Sequence, residues 1–195
     1  VLLLVLPAVA LALGVFADQG SSLDGVLGAL PELGLPWMAL AWTGGRCVER
    51  ASPGVVVGAA LTCLGLVAYF AFVHFVHGVG WYNVLGNGRG FFWFAAAGLF
   101  GGAAGWVGTW SSSRGQAQRA LSRTFLPAVC AIEAWRTMVW GFGVDTDVLT
   151  GVLAAGAVAG FLSTVVAHRR PALHGAALTA WVVVGGFALA GFRAL

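Results

Sequence analysis

Long stretches without a single charge dominate this sequence and set the terms on which it can fold. Reading for freedom from charge gives runs at 1–17, 33–45, 55–76, 91–113, 124–144, 148–167 and 172–192, the fifth broken only by one ionic pair. The last five are each twenty residues or longer, and about 20 residues of helix cross the roughly 30 Å hydrocarbon layer of a bilayer. The first run, at 17 residues, is borderline, and the second, at 13, opens Leu33-Gly34-Leu35-Pro36-Trp37. That opening fits either a short span beginning at Pro36 or a re-entrant hairpin. No basic residue precedes VLLLVLPAVALALGVF, so the first run lacks the n-region of a secretion signal.

Strands are the other way to satisfy a backbone in lipid, and they would show ten-residue segments of alternating polarity. Runs such as AAAGLFGGAAGWVG are instead apolar on every face, as in helices packed in lipid and against one another. Composition closes off the soluble alternative: 59% of residues are hydrophobic and 9% charged, too few charges to cover a water-exposed surface. The expected fold is all-α, a polytopic transmembrane helical bundle of seven helices, or six plus one re-entrant, in a single integral membrane domain over 1–195.

The charges that remain carry topology. Arg46 and Arg50 follow the second run, Arg114, Arg119 and Arg123 separate the fourth and fifth, and Arg169 and Arg170 separate the sixth and seventh. If the spans alternate, these seven arginines share one side, which the positive-inside rule makes cytoplasmic. The C-terminus is then external, together with Arg89, Arg193, Asp145 and Asp147. Treating run 33–45 as a span adds Asp18, Asp24 and Glu32 to that side and puts the N-terminus in the cytoplasm. All ten basic residues are arginine, which beside thirty glycines points to a high-GC bacterial genome and hence a bacterial plasma membrane.

Glu133 and Arg136 are the most informative residues, because they lie mid-run in TFLPAVCAIEAWRTMVWGF, where an isolated charge costs about 2.5–3.5 kcal/mol. At i, i+3 they project from one side of a helix and compensate each other most cheaply. They form a polar pocket or proton path, or a buried pair that fixes packing. Tyr69, seven residues beyond Thr62 in the third run, needs a partner for its hydroxyl, and Glu133 or Arg136 would supply one if those helices touch. Glu133, Arg136 and Tyr69 are therefore the candidate ligand-binding residues.

Other features point away from chemistry. His74 and His77 have no neighbouring Asp, Glu or Cys to complete a metal site and read as interfacial histidines. Cys47, Cys63 and Cys130 are too far apart for a disulfide framework or metal spacing and read as small buried hydrophobes. Trp37, Trp81, Trp93, Trp110 and Trp140 sit near run ends like an aromatic belt, while Trp42, Trp106, Trp135 and Trp181 lie deeper, to pack or to line a pocket. Gly98 to Gly102 and Gly156 to Gly160 have the Gly-x-x-x-Gly spacing of close helix packing, and Gly54 to Gly58 repeats it. The glycines of GWYNVLGNGRGFF are turn-formers and follow no strand, so no phosphate loop is read there. With no hydrolase, metalloprotease or P-loop motif, neither an enzyme nor a cofactor is expected. Scattered arginines form no basic face for nucleic acid, which leaves the lipid bilayer, a membrane-protein partner or a second copy of the chain as partners.

The short second span opening with Pro36 and Trp37, the arginine-rich turn after it, Tyr69 in the third span, the glycine-rich fourth and Glu133 in the fifth resemble an uncharacterised family of small actinobacterial multi-pass membrane proteins. That resemblance implies a fold and no activity. Size, short loops and a mid-membrane polar spot fit a small-molecule binding or transport component, although discontinuous helices of the transporter kind are not evident. The alternative is a non-catalytic scaffold or assembly subunit of a membrane complex.

Overall fold

The computed structural model describes residues 2–20, 33–82, 86, 88–140, 146–168 and 170–193. Asp24, Glu32, Asp145 and Arg169 lie outside them. Regular structure among the described residues is entirely helical, as expected: α1 (Leu2–Gly20), α2 (Gly34–Arg46), α3 (Ala51–His77), α4 (Arg89–Thr109), a 3-10 turn (Trp110–Ser112), α5 (Gln116–Trp140), α6 (Thr146–His168) and α7 (Pro171–Arg193). Three stretches, Ala51–His77, Gly90–Ser112 and Asp147–His168, are long and apolar enough to cross a membrane, and two shorter apolar helices run over Leu4–Gln19 and Pro171–Phe187. α5 departs from the pattern of the apolar runs. It starts at Gln116, well ahead of the run at 124, so Arg119 and Arg123 join Glu133 and Arg136 on one helix, the most amphipathic of the seven.

The helices gather into two compact units, Val1–Thr109 and Trp110–Leu195. In the first, α3 is packed by α1, α2 and α4. Leu6, Ala10, Leu40 and Leu61 form its apolar centre. α1 and α3 run parallel: Leu6 meets Leu61 in that cluster, Ala10 and Gly14 lie at Gly65, and Asp18 reaches His77 with Oδ2 to Nε2 at 2.7 Å. A chain that makes two parallel helices must return between them, and α2 forms part of that return. It runs opposite to α3, with Trp37 against Gly65 and Gly44 against Leu61 and Val57. Its 13 residues extend about 20 Å, half the roughly 40 Å of α3. Among the described residues this run is one helix that carries the chain back alongside α3, and no hairpin forms within it. Cysteines at Asp18→Cys and His77→Cys are expected to be joined by a short bifunctional thiol reagent in intact membranes, read as protease-resistant linkage of the two fragments. Linkage of Leu6→Cys to His77→Cys in preference would sink the parallel arrangement.

Burial in this unit is inverted relative to a soluble protein. On α3 the buried residues are Gly54, Gly58, Leu61, Thr62, Gly65 and Phe70, whereas Val56, Phe75 and Val76 are exposed. Small residues face neighbouring helices and large apolar ones face outward, the arrangement that pays when the surroundings are as apolar as leucine. Gly54 and Gly58 on α3 oppose Gly101 and Gly105 on α4: a Cβ on Gly58 would fall 2.8 Å from the Gly105 Cα, and one on Gly105 would fall 2.9 Å from the Gly58 Cα. Gly45 of α2 abuts the Gly105 backbone as well. Thr62 locks the seam, its hydroxyl donating to the Ala97 carbonyl at 2.8 Å. Of the expected pair Gly98 and Gly102, Gly102 lies against Val55 of α3 but Gly98 has open space around it; the closest approach uses Gly101 and Gly105, because the segment from Gly98 to Gly105 carries the spacing in two registers and only the neighbour selects the face.

In the second unit α5 is central, with α6 and α7 against it. α6 is antiparallel: the Thr137 and Thr150 hydroxyls are 2.8 Å apart, and Gly160 lets Pro127 approach to within 2.9 Å of its would-be Cβ. α7 is parallel to α5, since Trp181 lies by Leu121 and Phe125 and Gly185 lies by Ile132. The starts of α5 and α7 and the end of α6 therefore share one end of this unit.

Candidate functional site

Glu133 and Arg136 meet as their spacing requires, Arg136 Nε donating to Glu133 Oε2 at 2.8 Å, with side-chain exposures of 16% for Arg136 and 10% for Glu133. The contact has the length of a charge-assisted hydrogen bond and closes within one turn of α5. Thr137, the next residue, is fully buried and bonded to Thr150, so this turn of α5 is fastened to α6. Tyr69 lies on α3 in the other unit, half-buried, with its ring edge-on to Phe70 at 5.2 Å. The structure thus joins two of the three sequence-derived residues within one unit and places the third in the other.

His74 and His77 do not converge. His77 pairs with Asp18, while His74 Nδ1 lies 2.7 Å from the Val79 carbonyl and its ring stacks on Trp81 at 4.3 Å. No group of three or more His, Cys, Asp or Glu side chains could hold a metal ion among the described residues. Trp181 is a strut: its indole N–H donates to the Leu121 carbonyl at 2.8 Å and ties α7 to α5.

A second polar constellation lies at the shared end of the α5, α6 and α7 unit. Gln116, Arg119, Ala120 and Arg123 of α5, His168 at the end of α6, and Arg170, Leu173 and His174 at the start of α7 line an open cavity of ≈ 310 Å³. Local sequence builds it. Ser113 accepts the Gly115 N–H at 3.2 Å and donates to Gln118, which starts α5 at a defined point. Arg170 donates to the Gln116 side chain and so ties the start of α7 to the start of α5. The His174 ring is oriented by its Nδ1, 2.8 Å from the Arg170 carbonyl, and lies against His168 with centroids 5.8 Å apart. Since a carbonyl only accepts, Nδ1 carries the proton. His174 is 2% exposed, yet its Nε2 has no partner among the described residues. A buried polar atom without a partner is costly, and here it belongs to a residue that lines the cavity.

The arginines of this pocket read, in the sequence, as topology signals, and His168 and His174 carry no motif. Residues 116–123 and 168–174 are brought together only by the reversal of direction through α6. No protein family, curated protein or solved structure matches this chain.

Proposed function

We propose that this chain is a multi-pass integral membrane protein of a bacterial plasma membrane and acts as a small-molecule binding or transport component, with its binding site in the cavity at the arginine end of α5, α6 and α7. That cavity carries the reading: in a chain that turns valine, leucine and phenylalanine outward, a polar cavity lined by three arginines and two histidines has no packing purpose. The positive-inside rule puts Arg46, Arg50, Arg114, Arg119, Arg123, Arg169 and Arg170 in the cytoplasm, and with them the mouth of the site, leaving the C-terminus external. Glu133 and Arg136 serve in this reading as a packing clasp within α5, not as ligand contacts.

The test is thermal unfolding of the purified protein in detergent against a panel of phosphorylated metabolites, carboxylates, amino acids and sugars. A ligand at about 100 times its Kd adds about 2.7 kcal/mol, an upward shift of roughly 5–10 °C for a chain of this size. Leu173→Trp, which pushes a bulkier side chain into the cavity lining, reduces that shift. If no compound stabilises the native chain more than this variant, the binding role falls and the scaffold reading takes its place.

A further inference from the structure

We infer that the ligand of this pocket is a phosphoryl group, presented either by an anionic lipid headgroup or by a soluble phosphate compound. The inference rests on the binding reading and narrows it to a chemical class. Three guanidinium groups line the cavity, from Arg119, Arg123 and Arg170, and among the described residues no carboxylate does. Like charge disfavours a cation there, and the positive field favours an anion over a neutral ligand.

Two helices also begin at this cavity. The first turns of α5 and α7 lie beside it, and each helix start carries partial positive charge, with Pro171 at the head of α7 contributing no N–H. His174 supplies the independent observation, a buried side chain lining the cavity whose Nε2 has no partner among the described residues. A phosphoryl group that reaches that nitrogen suits either state of the ring, its oxygen accepting from a protonated ring and its O–H donating to a neutral one. Either way the atom is satisfied, which a halide cannot do for the neutral ring.

Donors converge from the start of α5, the end of α6 and the start of α7, and such a spread suits the several oxygens of a tetrahedral anion better than the flat pair of a carboxylate. At ≈ 310 Å³ the cavity exceeds what a bare phosphate fills, so it also admits part of the group esterified to it.

The experiment uses the full chain in phosphatidylcholine nanodiscs, with two arms. One titrates inorganic phosphate by calorimetry against a chloride control, and the other measures retention of spin-labelled phosphatidic acid over spin-labelled phosphatidylcholine. Saturable binding in the first arm identifies a soluble phosphate source, and preferential retention in the second alone identifies a headgroup. In either case Arg119→Gln and His174→Gln each weaken binding by about tenfold or more, the scale of a lost charge-assisted bond. Arg50→Gln, in the other unit, leaves it unchanged. His174→Gln keeps a polar group at the buried position, and Arg119 is only partly buried on the first turn of α5, so both variants are expected to fold, as an unchanged unfolding temperature verifies.

Absence of preference in both arms overturns the inference, as does equal loss of binding in Arg50→Gln. If a neutral compound stabilises the protein in the panel above while both phosphate arms are blank, the phosphoryl assignment fails and the binding role stands. If nothing binds in any arm, both fail.

Discussion

Glu133→Gln is expected to destabilise the protein by about 3–5 kcal/mol, and Arg136→Met by a similar amount, whereas the double variant recovers most of the loss. The reason lies in the geometry of the pair. Glu133 and Arg136 are largely buried and bonded at 2.8 Å within one turn of α5. Removing either one takes from the other its charged partner at 2.8 Å in apolar surroundings, while removing both takes away the pair together. Thermal or denaturant unfolding of the four proteins in one detergent gives the coupling energy directly. Near-zero loss in both single variants, with activity or binding abolished, would make the two residues ligand contacts and return the binding site to mid-helix.

The second large effect is expected at Gly105. This glycine faces Gly54 and Gly58 of α3 and Gly45 of α2 at once, and a methyl group there would sit 2.9 Å from the Gly58 Cα. Backbone cannot rotate out of the way as a side chain can, so Gly105→Leu must drive α4 away from both neighbours and break the Thr62 to Ala97 hydrogen bond. A loss of about 3 kcal/mol or more is expected, seen as aggregation on size exclusion or a collapsed unfolding temperature. Gly98→Ala is the internal control. Gly98 has open space around it, and exchanging glycine for alanine in a helix is neutral to stabilising, by up to about 1 kcal/mol. A tolerated Gly105→Leu would show that the four-glycine seam does not hold the first unit together.

Much of the helical architecture was legible in the residues because apolar surroundings impose a simple demand. Every backbone polar group must be satisfied internally, so a charge-free run of sufficient length is a helix whatever its neighbours. α3, α4 and α6 follow that rule closely. α5 does not, because its first two turns carry Arg119 and Arg123, and a search for charge-free runs starts reading only after them. The Glu133 and Arg136 pair was equally legible, being a local consequence of i, i+3 spacing. The basic cavity was not, since no local pattern relates Arg119 to His174.

By itself the sequence determined the class of fold, the helices and the local ion pair, all of which depend on neighbours within one or two turns. Only the tertiary structure decided which face of α4 meets α3, that α1 and α3 run parallel with α2 as the returning limb, and that His174 is buried without a partner for Nε2 in a cavity of arginines. The physical reason is common to all three. A helix apolar all round has no preferred face of its own, so register and direction come from the partner it packs against. A polar cavity likewise exists only where three chain segments, distant in sequence, arrive at one place.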